Sequence, residues 1–390
     1  MTRRLGGRAA IAGIGQTEFS KDSGRSELQL ACEAVKAALD DAGLTPLDVD
    51  GMVTFTHDQN EEIEVARNLG VRSLSFFSRV GYGGGAAAAT IMQAAMAVAT
   101  GVADVVVCYR AFNERSGFRF GGTDQEPVAS PLWIAPYAPF GLLTPAAWVA
   151  LHAQRYMSTY GVSNADFGQI SVVDRLHAST NPAAWFYERP ITIDDHRASR
   201  WIIEPVLRLL DCCQESDGGV AMVVTTAERA RDLRQPPAYV TAAAQGAAED
   251  GEQMTSYHRE DITGLPEMGV VGNRLWRDSG LAPTDVQVAI LYDHFTPFVL
   301  MQLEELGFCG KGEAKDFASV ENLTRGGQLP INTNGGLLGE AYIHGMNGIL
   351  EAVRQVRGTS CNQVDDVEHV LVTSGTGVPT SGLILGGSPS

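Results

Sequence analysis

Residues 41–49 read DAGLTPLDV and residues 278–286 read DSGLAPTDV, with six of nine positions identical. This echo constrains the fold more than any other feature, because self-similarity at long range marks two copies of one folding unit. Each copy follows a helix-like stretch, LACEAVKAALD or VGNRLWR, and precedes an extended run, residues 50–56 or 287–292. Glycine and then proline after a helical stretch is a helix stop followed by a turn. A weaker echo lies further on. Residues 83–101 open on glycine, are rich in alanine and lead to ADVVVCY; residues 335–358 open on glycine and lead to VEHVLVTSG. The opening strand AAIAGIG (9–15) has a counterpart in AYVTAAAQG (238–246), just after RQPPA. Each half reads strand, helix, strand, helix, strand, which implies parallel pairing and right-handed crossovers. The expected organisation is α/β in two similar halves, 1–236 and 237–390, with a non-repeating insertion at about 110–236 in the first.

Composition excludes several function classes. The net charge of −17 opposes a general nucleic-acid binder, which needs a basic face for phosphates, and opposes docking on an anionic membrane. Residues 83–103 carry no charge, but Thr90, Gln93 and Thr100 lie among small residues; this reads as a buried helix, not a membrane span. The N-terminus has too short an apolar run for a signal peptide. Six scattered cysteines with no CxxC pair fit reduced thiols in a cytoplasmic protein. The eight histidines are dispersed and form no HExxH, so no metal site is expected. GIGQTE and GYGGGA fall short of a dinucleotide fingerprint, and GxSxG is absent.

Three stretches carry a family resemblance: QLEELGFCGKGEA (302–314), LRLLDCCQESDGGVAM (207–222) and NTNGGLLGEAYIHGMNG (332–348). The last is similar to the thiolase motif NxxGGxxxxGHPxGxxG, with Gly335, Gly336, Gly345 and Gly348 in place. The chain resembles the thiolase superfamily in its lipid-transfer-protein/sterol-carrier branch. The resemblance implies a five-layered α-β-α-β-α arrangement and a homodimer. Its departures are informative. The family's nucleophilic Cys falls on Gly81, the His of GHP on Tyr342, and the first residue of NEAF on Tyr292, within YDHF; TSGTG (373–377) replaces CxG. Claisen chemistry needs a thiolate to acylate, and Gly81 has none.

This pattern resembles the bacterial steroid side-chain retro-aldolases. The resemblance implies cleavage of a 17-hydroxy-20-carboxyl pregnene CoA thioester to a 17-ketosteroid and propionyl-CoA. It also implies a hydratase partner subunit carrying an OB-fold domain of unknown function, and no cofactor beyond the CoA of the substrate. Retro-aldol cleavage needs a base for the β-hydroxyl, donors for the enolate oxygen and an acid for the enolate carbon. Tyr292 and Tyr342 are the expected acid–base pair, helped by a nearby positive charge or donor. His294 and His344, each two residues on, are expected to tune them or to donate to the thioester. Gly81, Tyr82 and Gly83 at a helix start, Gly375 in TSGTG, and Asp293 are expected around the oxyanion or substrate. Glu340 is an alternative base. The aromatic stretch at 110–150 is expected to form a substrate wall, a dimer contact, or both. Two other readings stand beside the lyase: a thiolase-derived lipid or acyl-CoA carrier without catalysis, and acyl transfer through one of the other cysteines.

Overall fold

The computed structural model describes residues 5–389 except 57, 82, 118, 120–134 and 376–379. In the first half, β1 (Ala9–Gln16) leads through α1 (Glu27–Ala42), β2 (Gly51–Phe55), α2 (Glu62–Leu69), β3 (Phe76–Val80) and α3 (Ala87–Thr100) to β4 (Val105–Asn113). Helices α4 (Pro145–Tyr160), α5 (Asn164–Ser179) and α6 (Ile193–Ala198) follow, then a small hairpin of β5 (Trp201–Ile203) and β6 (Leu207–Arg208). The half closes on β7 (Asp217–Thr226) and the single turn α7 (Ala227–Ala230). The second half begins with β8 (Ala238–Gly246), α8 (Pro266–Ser279), β9 (Val288–Ile290) and α9 (Thr296–Glu305). It continues through α10 (Ala314–Phe317), α11 (Val320–Leu323), α12 (Gly336–Gly339) and α13 (Met346–Arg357) to β10 (His369–Ser374) and β11 (Thr380–Gly386).

The repeated nonapeptide folds identically in both halves, for local reasons. α1 and α8 each stop at a left-handed glycine, Gly43 at φ 74° and Gly280 at φ 79°. A 3₁₀ turn then opens on Pro46 or Pro283. Its last aspartate turns back to cap it: Asp48 accepts from the Thr45 N–H at 2.9 Å and Asp285 from the Ala282 N–H at 2.8 Å.

The strand order is β3-β2-β4-β7-β1-β8-β11-β10-β9. It is symmetric about its centre: β1 matches β8, β7 matches β11, β4 matches β10 and β2 matches β9. Ile331, bridged to Ala289, stands where β3 stands in the other half. The halves join where β1 runs antiparallel to β8 through Ala10–Tyr239 and Ile11–Ala238. Parallel pairing holds for β2–β3, β2–β4 and β9–β10, whereas β7 and β11 pair antiparallel on both sides. β7 lies inside the stretch expected to be inserted, yet it is a scaffold strand matched by β11. The non-repeating part is therefore what separates β4 from β7.

The layers follow from the burial of the helices. α3 and α13 share one apolar core with both half-sheets and form the middle layer. The alanines of α3 suit this position, because small side chains let a helix sit close to two sheets. α1 covers the outer face of the first half, and α8 and α9 cover that of the second. The order is α-β-α-β-α. One expected helix is shorter than the sequence implied. α13 starts at Met346, because His344 (φ 51°) and Gly345 (φ 83°) are left-handed and break any continuous helix from residue 335. The loop so formed carries Tyr342 and His344. Among the described residues, no helix is long and apolar enough to cross a membrane.

Candidate active site

Two tyrosines from separate elements of the second half meet beside the middle layer. Tyr292 follows β9, where two side chains hold its backbone. Its N–H donates to Thr373 Oγ1 (2.9 Å), its carbonyl accepts from Gln302 Nε2 (2.8 Å), and Thr373 Oγ1 donates to Gln302 Oε1 (2.6 Å). Tyr342 lies in the loop before α13, with its N–H on Ser216 Oγ at 3.2 Å. The phenol oxygens are 3.1 Å apart and hydrogen-bonded. Glycine makes the room. A Cβ on Gly84 would stand 1.9 Å from Tyr292 Oη, and one on Gly345 2.9 Å from the Tyr292 ring.

Both phenols resist ionisation. Burial pushes Tyr292 well above the usual tyrosine range, and burial with Tyr292, Cys213 and Glu114 nearby does the same to Tyr342. This environment favours the neutral phenols, and the hydrogen bond between them supplies one oxygen with the other's O–H as its donor.

A cavity of about 540 Å³ opens onto Tyr342, within the size range of small-molecule sites. Tyr342, His294, Cys213 and Glu114 bring its polar chemistry. Phe186, Ile202, Leu209, Leu210, Phe295 and Leu338 give apolar wall, and Lys21, Arg115, Arg119 and Arg175 supply positive charge. Much of the wall comes from the segment between β4 and β7, so the insertion shapes the cavity while the repeated scaffold holds the tyrosines. Of the 110–150 stretch, residues 120–134 lie outside the described residues; Arg115, Arg119, Thr144, Pro145 and Ala146 line the cavity.

The expected site residues separate into groups. His294 lines the cavity, its ring 4.9 Å from that of Tyr292. Burial pulls its pKa down to about 3, so it acts as a neutral ring. His344 stacks behind Tyr342 at 4.5 Å between ring centres. Its Nδ1 lies 3.2 Å from Arg110 Nη2. A guanidinium has no acceptor, so Nδ1 accepts and the ring proton sits on Nε2. His344 supports Tyr342 from the protein side.

Asp293 points elsewhere. Its carboxylate accepts from the N–H groups of Leu337 (2.8 Å) and Leu338 (3.0 Å) and so caps α12. It fixes the loop and does not line the cavity with His294. Glu340 is buried among Asn181, Asn334 and Asn347, which all donate to it; this is a structural knot. Tyr82 lies outside the described residues. A Cβ on Gly81 would meet nothing within 4 Å, and Gly83 (φ 53°) opens the turn before α3. Gly375 packs on Gly85 too tightly to admit a side chain. Two early amides of α3 are already used: Ala88 N–H donates to Ser374 Oγ and Ala89 N–H to Ser381 Oγ, both at 3.1 Å. They are not the anion cradle that a helix start suggests.

Sequence reasoning missed Arg110, Asp58, Glu114 and Cys213. Arg110 is fully buried and stacks between Phe55 and Phe112, 4.9 and 4.6 Å from the ring centres. Burial and acidic neighbours push the Cys213 thiol well above its usual range, which opposes a thiolate nucleophile.

Comparison with known proteins shows the family. A family described as "Thiolase C-terminal domain-like" matches residues 246–385. The chain is 68% identical to a steroid side-chain-cleaving aldolase of Thermomonospora curvata, over 98% of each chain. It is 65% identical to a 17-hydroxy-3-oxo-4-pregnene-20-carboxyl-CoA lyase of Mycobacterium tuberculosis, over 98% of this chain and all of that one. A solved structure described as an Ltp2-ChsH2(DUF35) aldolase superposes with a TM-score of 0.94 at 68% identity, covering 98% of both chains. With a thiolase-like fold, no thiolate where thiolases keep one and a buried tyrosine pair at two other motif positions, the chain belongs to the thiolase-related family of steroid side-chain-cleaving aldolases.

Proposed function

We propose that the protein cleaves 17-hydroxy-3-oxo-4-pregnene-20-carboxyl-CoA, or a close β-hydroxyacyl-CoA analogue, to a 17-ketosteroid and propionyl-CoA. It is a carbon–carbon lyase acting on a steroid CoA thioester. The observation that carries the mechanism is the 3.1 Å hydrogen bond between Tyr292 and Tyr342.

Cleavage removes the β-hydroxyl proton and breaks the bond between the carbinol carbon and the thioester α-carbon. The bonding pair becomes the thioester enolate, and the α-carbon then takes a proton. The site's own proton count is unchanged over a turnover. Two neutral phenols in contact suit this balance. One accepts the hydroxyl proton as it passes its own to the other, and the second delivers a proton to the α-carbon. Neither need rest as tyrosinate, which burial disfavours. In this relay Tyr342, in the cavity wall, takes the hydroxyl proton, and Tyr292, hydrogen-bonded to it, gives up its own to the α-carbon in the same step. The cationic side chains around the cavity suit the phosphates of a CoA thioester, and the apolar wall suits a steroid. The reaction balances with no cofactor beyond the CoA of the substrate.

We further propose a homodimer, assembled with a hydratase subunit that carries an OB-fold domain. The half-open face of the edge strand β3, with Phe77 62% exposed, supports a self-contact, because open edges call for cover. The description of the superposed relative as an Ltp2-ChsH2(DUF35) aldolase supports the partner subunit. A cytoplasmic setting fits six cysteines that form no disulfide.

The Cys213→Ala variant tests the lyase against acyl transfer. Cleavage is expected to stay within about threefold of wild type, since no covalent intermediate is required. Loss of turnover with an acyl group trapped on Cys213 in the wild type would reverse the reading.

A further inference from the structure

Glu114 follows the last residue of β4, is 2% exposed and lines the cavity with Tyr342 and Cys213. Its Oε2 lies 3.9 Å from His344 Nδ1 and has no hydrogen-bond partner among the described residues. The charged and titratable groups facing it are Arg110 on its own strand, Lys21 after β1, Arg119 in the insertion, and Cys213 and Glu215 before β7. Tyr342 and His344 face it from the loop before α13.

Charge balance fixes its state. Arg110 cannot shed its proton, and a buried cation needs one carboxylate opposite it. Asp58 and Glu114 compete for that role. The Asp58 carboxylate accepts from the N–H groups of Ala111 and Asn60 and from Asn60 Nδ2, each at 2.8 Å, and lies 3.9 Å from Arg110 Nη1. Glu114 Oε2 has no such donor. Hydrogen bonds to a carboxylate favour its charged form, so Asp58 holds the charge and Glu114 keeps its proton. Burial raises both carboxyls: Asp58 against its hydrogen bonds and Arg110, and Glu114, up to about 8, against Arg110. The donors around Asp58 therefore decide between them.

We infer that Glu114 is a further catalytic residue of the lyase, a neutral carboxylic acid whose O–H donates to the thioester oxygen as the enolate forms. The inference rests on the retro-aldol reading. A carboxyl kept neutral by its surroundings is an effective oxyanion donor, and the amides of Ala88 and Ala89 in the first turn of α3 are already taken. The proton stays on Glu114 throughout, so no bond to it forms or breaks.

The test is the pH dependence of kcat for wild type, E114Q, E114A and K21R, each assembled with the hydratase partner and given the steroid β-hydroxyacyl-CoA. Wild-type kcat is expected to fall above about pH 8 as Glu114 ionises. E114Q, still a neutral donor, stays within about tenfold of wild type at pH 7 and loses the alkaline fall; E114A is about 10²–10³-fold slower. Burial also lowers Lys21 to about 8, so K21R, charged throughout, separates the two: it keeps the alkaline fall. An alkaline fall that persists in E114Q, or an E114A as fast as wild type, overturns the inference. A wild type that cleaves nothing overturns the lyase reading itself. A second readout needs no substrate. The folded protein holds this proton up to about pH 8, whereas an unfolded chain releases it near pH 4.3. Wild type therefore loses thermal stability across that window as pH rises, and E114Q escapes that part of the loss. Equal losses in the two proteins also overturn the inference.

Discussion

Replacing Tyr342 by Phe is expected to lower kcat by about 10³-fold or more, with the fold intact. The substitution removes one oxygen from the cavity wall, the one through which the proposed relay takes the hydroxyl proton. Tyr292→Phe is expected to cost about 10²–10³-fold, within the usual reach of acid–base groups and of donors aimed at developing charge. The double variant discriminates best. Groups that act as a unit are grossly non-additive when removed together, so Y292F/Y342F should be about as slow as the slower single variant. Each single variant leaves one buried hydroxyl without its partner, at a cost of about 1–3 kcal/mol in stability. Tyrosines that serve only in packing would give stability losses of this size with kcat within about tenfold of wild type. Steady-state kinetics beside thermal melts separates the two.

Gly84→Ala should be nearly as damaging, although it removes nothing. The added methyl would lie 1.9 Å from Tyr292 Oη and 2.7 Å from Cζ, closer than any contact tolerates. The ring cannot withdraw easily, because Gly345 packs on it from another side and its backbone is tied to Thr373 and Gln302. The phenol must swing off the Tyr342 oxygen. The expected result is a fall in kcat of about 10²-fold or more, since small displacements of a reacting group cost that much. Overpacking adds about 1–3 kcal/mol of destabilisation. In the Y292F background the same substitution should change kcat little, because the relay is already broken. A G84A protein with wild-type kcat would show that the Tyr292 oxygen does not need its position.

How much of this was legible in the sequence depended on how local each cause was. The nonapeptide repeat was readable because a left-handed glycine, a proline and a capping aspartate act within a few residues. β7 escaped because its role comes from pairing with β4 and β1, and nothing in DGGVAMVVTT echoes TSGLILG of β11. Tyr292 and Tyr342 were found because they occupy positions that a known motif marks. Asp293 is grouped with the oxyanion residues for the same reason, and the structure has its carboxylate capping α12. In extended backbone successive side chains face opposite ways, so Asp293 turns to α12 while its neighbours Tyr292 and His294 face the site. Arg110, Asp58 and Glu114 stayed hidden because no spacing links the loop after β2 to the end of β4 and to His344; only the fold brings them together.

Product analysis tests the central reading most directly. The purified protein, alone and with the proposed hydratase partner, would be given a steroid CoA thioester bearing a tertiary β-hydroxyl, and both products would be quantified by chromatography. Retro-aldol cleavage predicts a 17-ketosteroid and propionyl-CoA in equal amounts, formed by wild type and almost absent with Y342F. Tight binding of the thioester with neither product formed would contradict it and leave a carrier that keeps its tyrosines for packing.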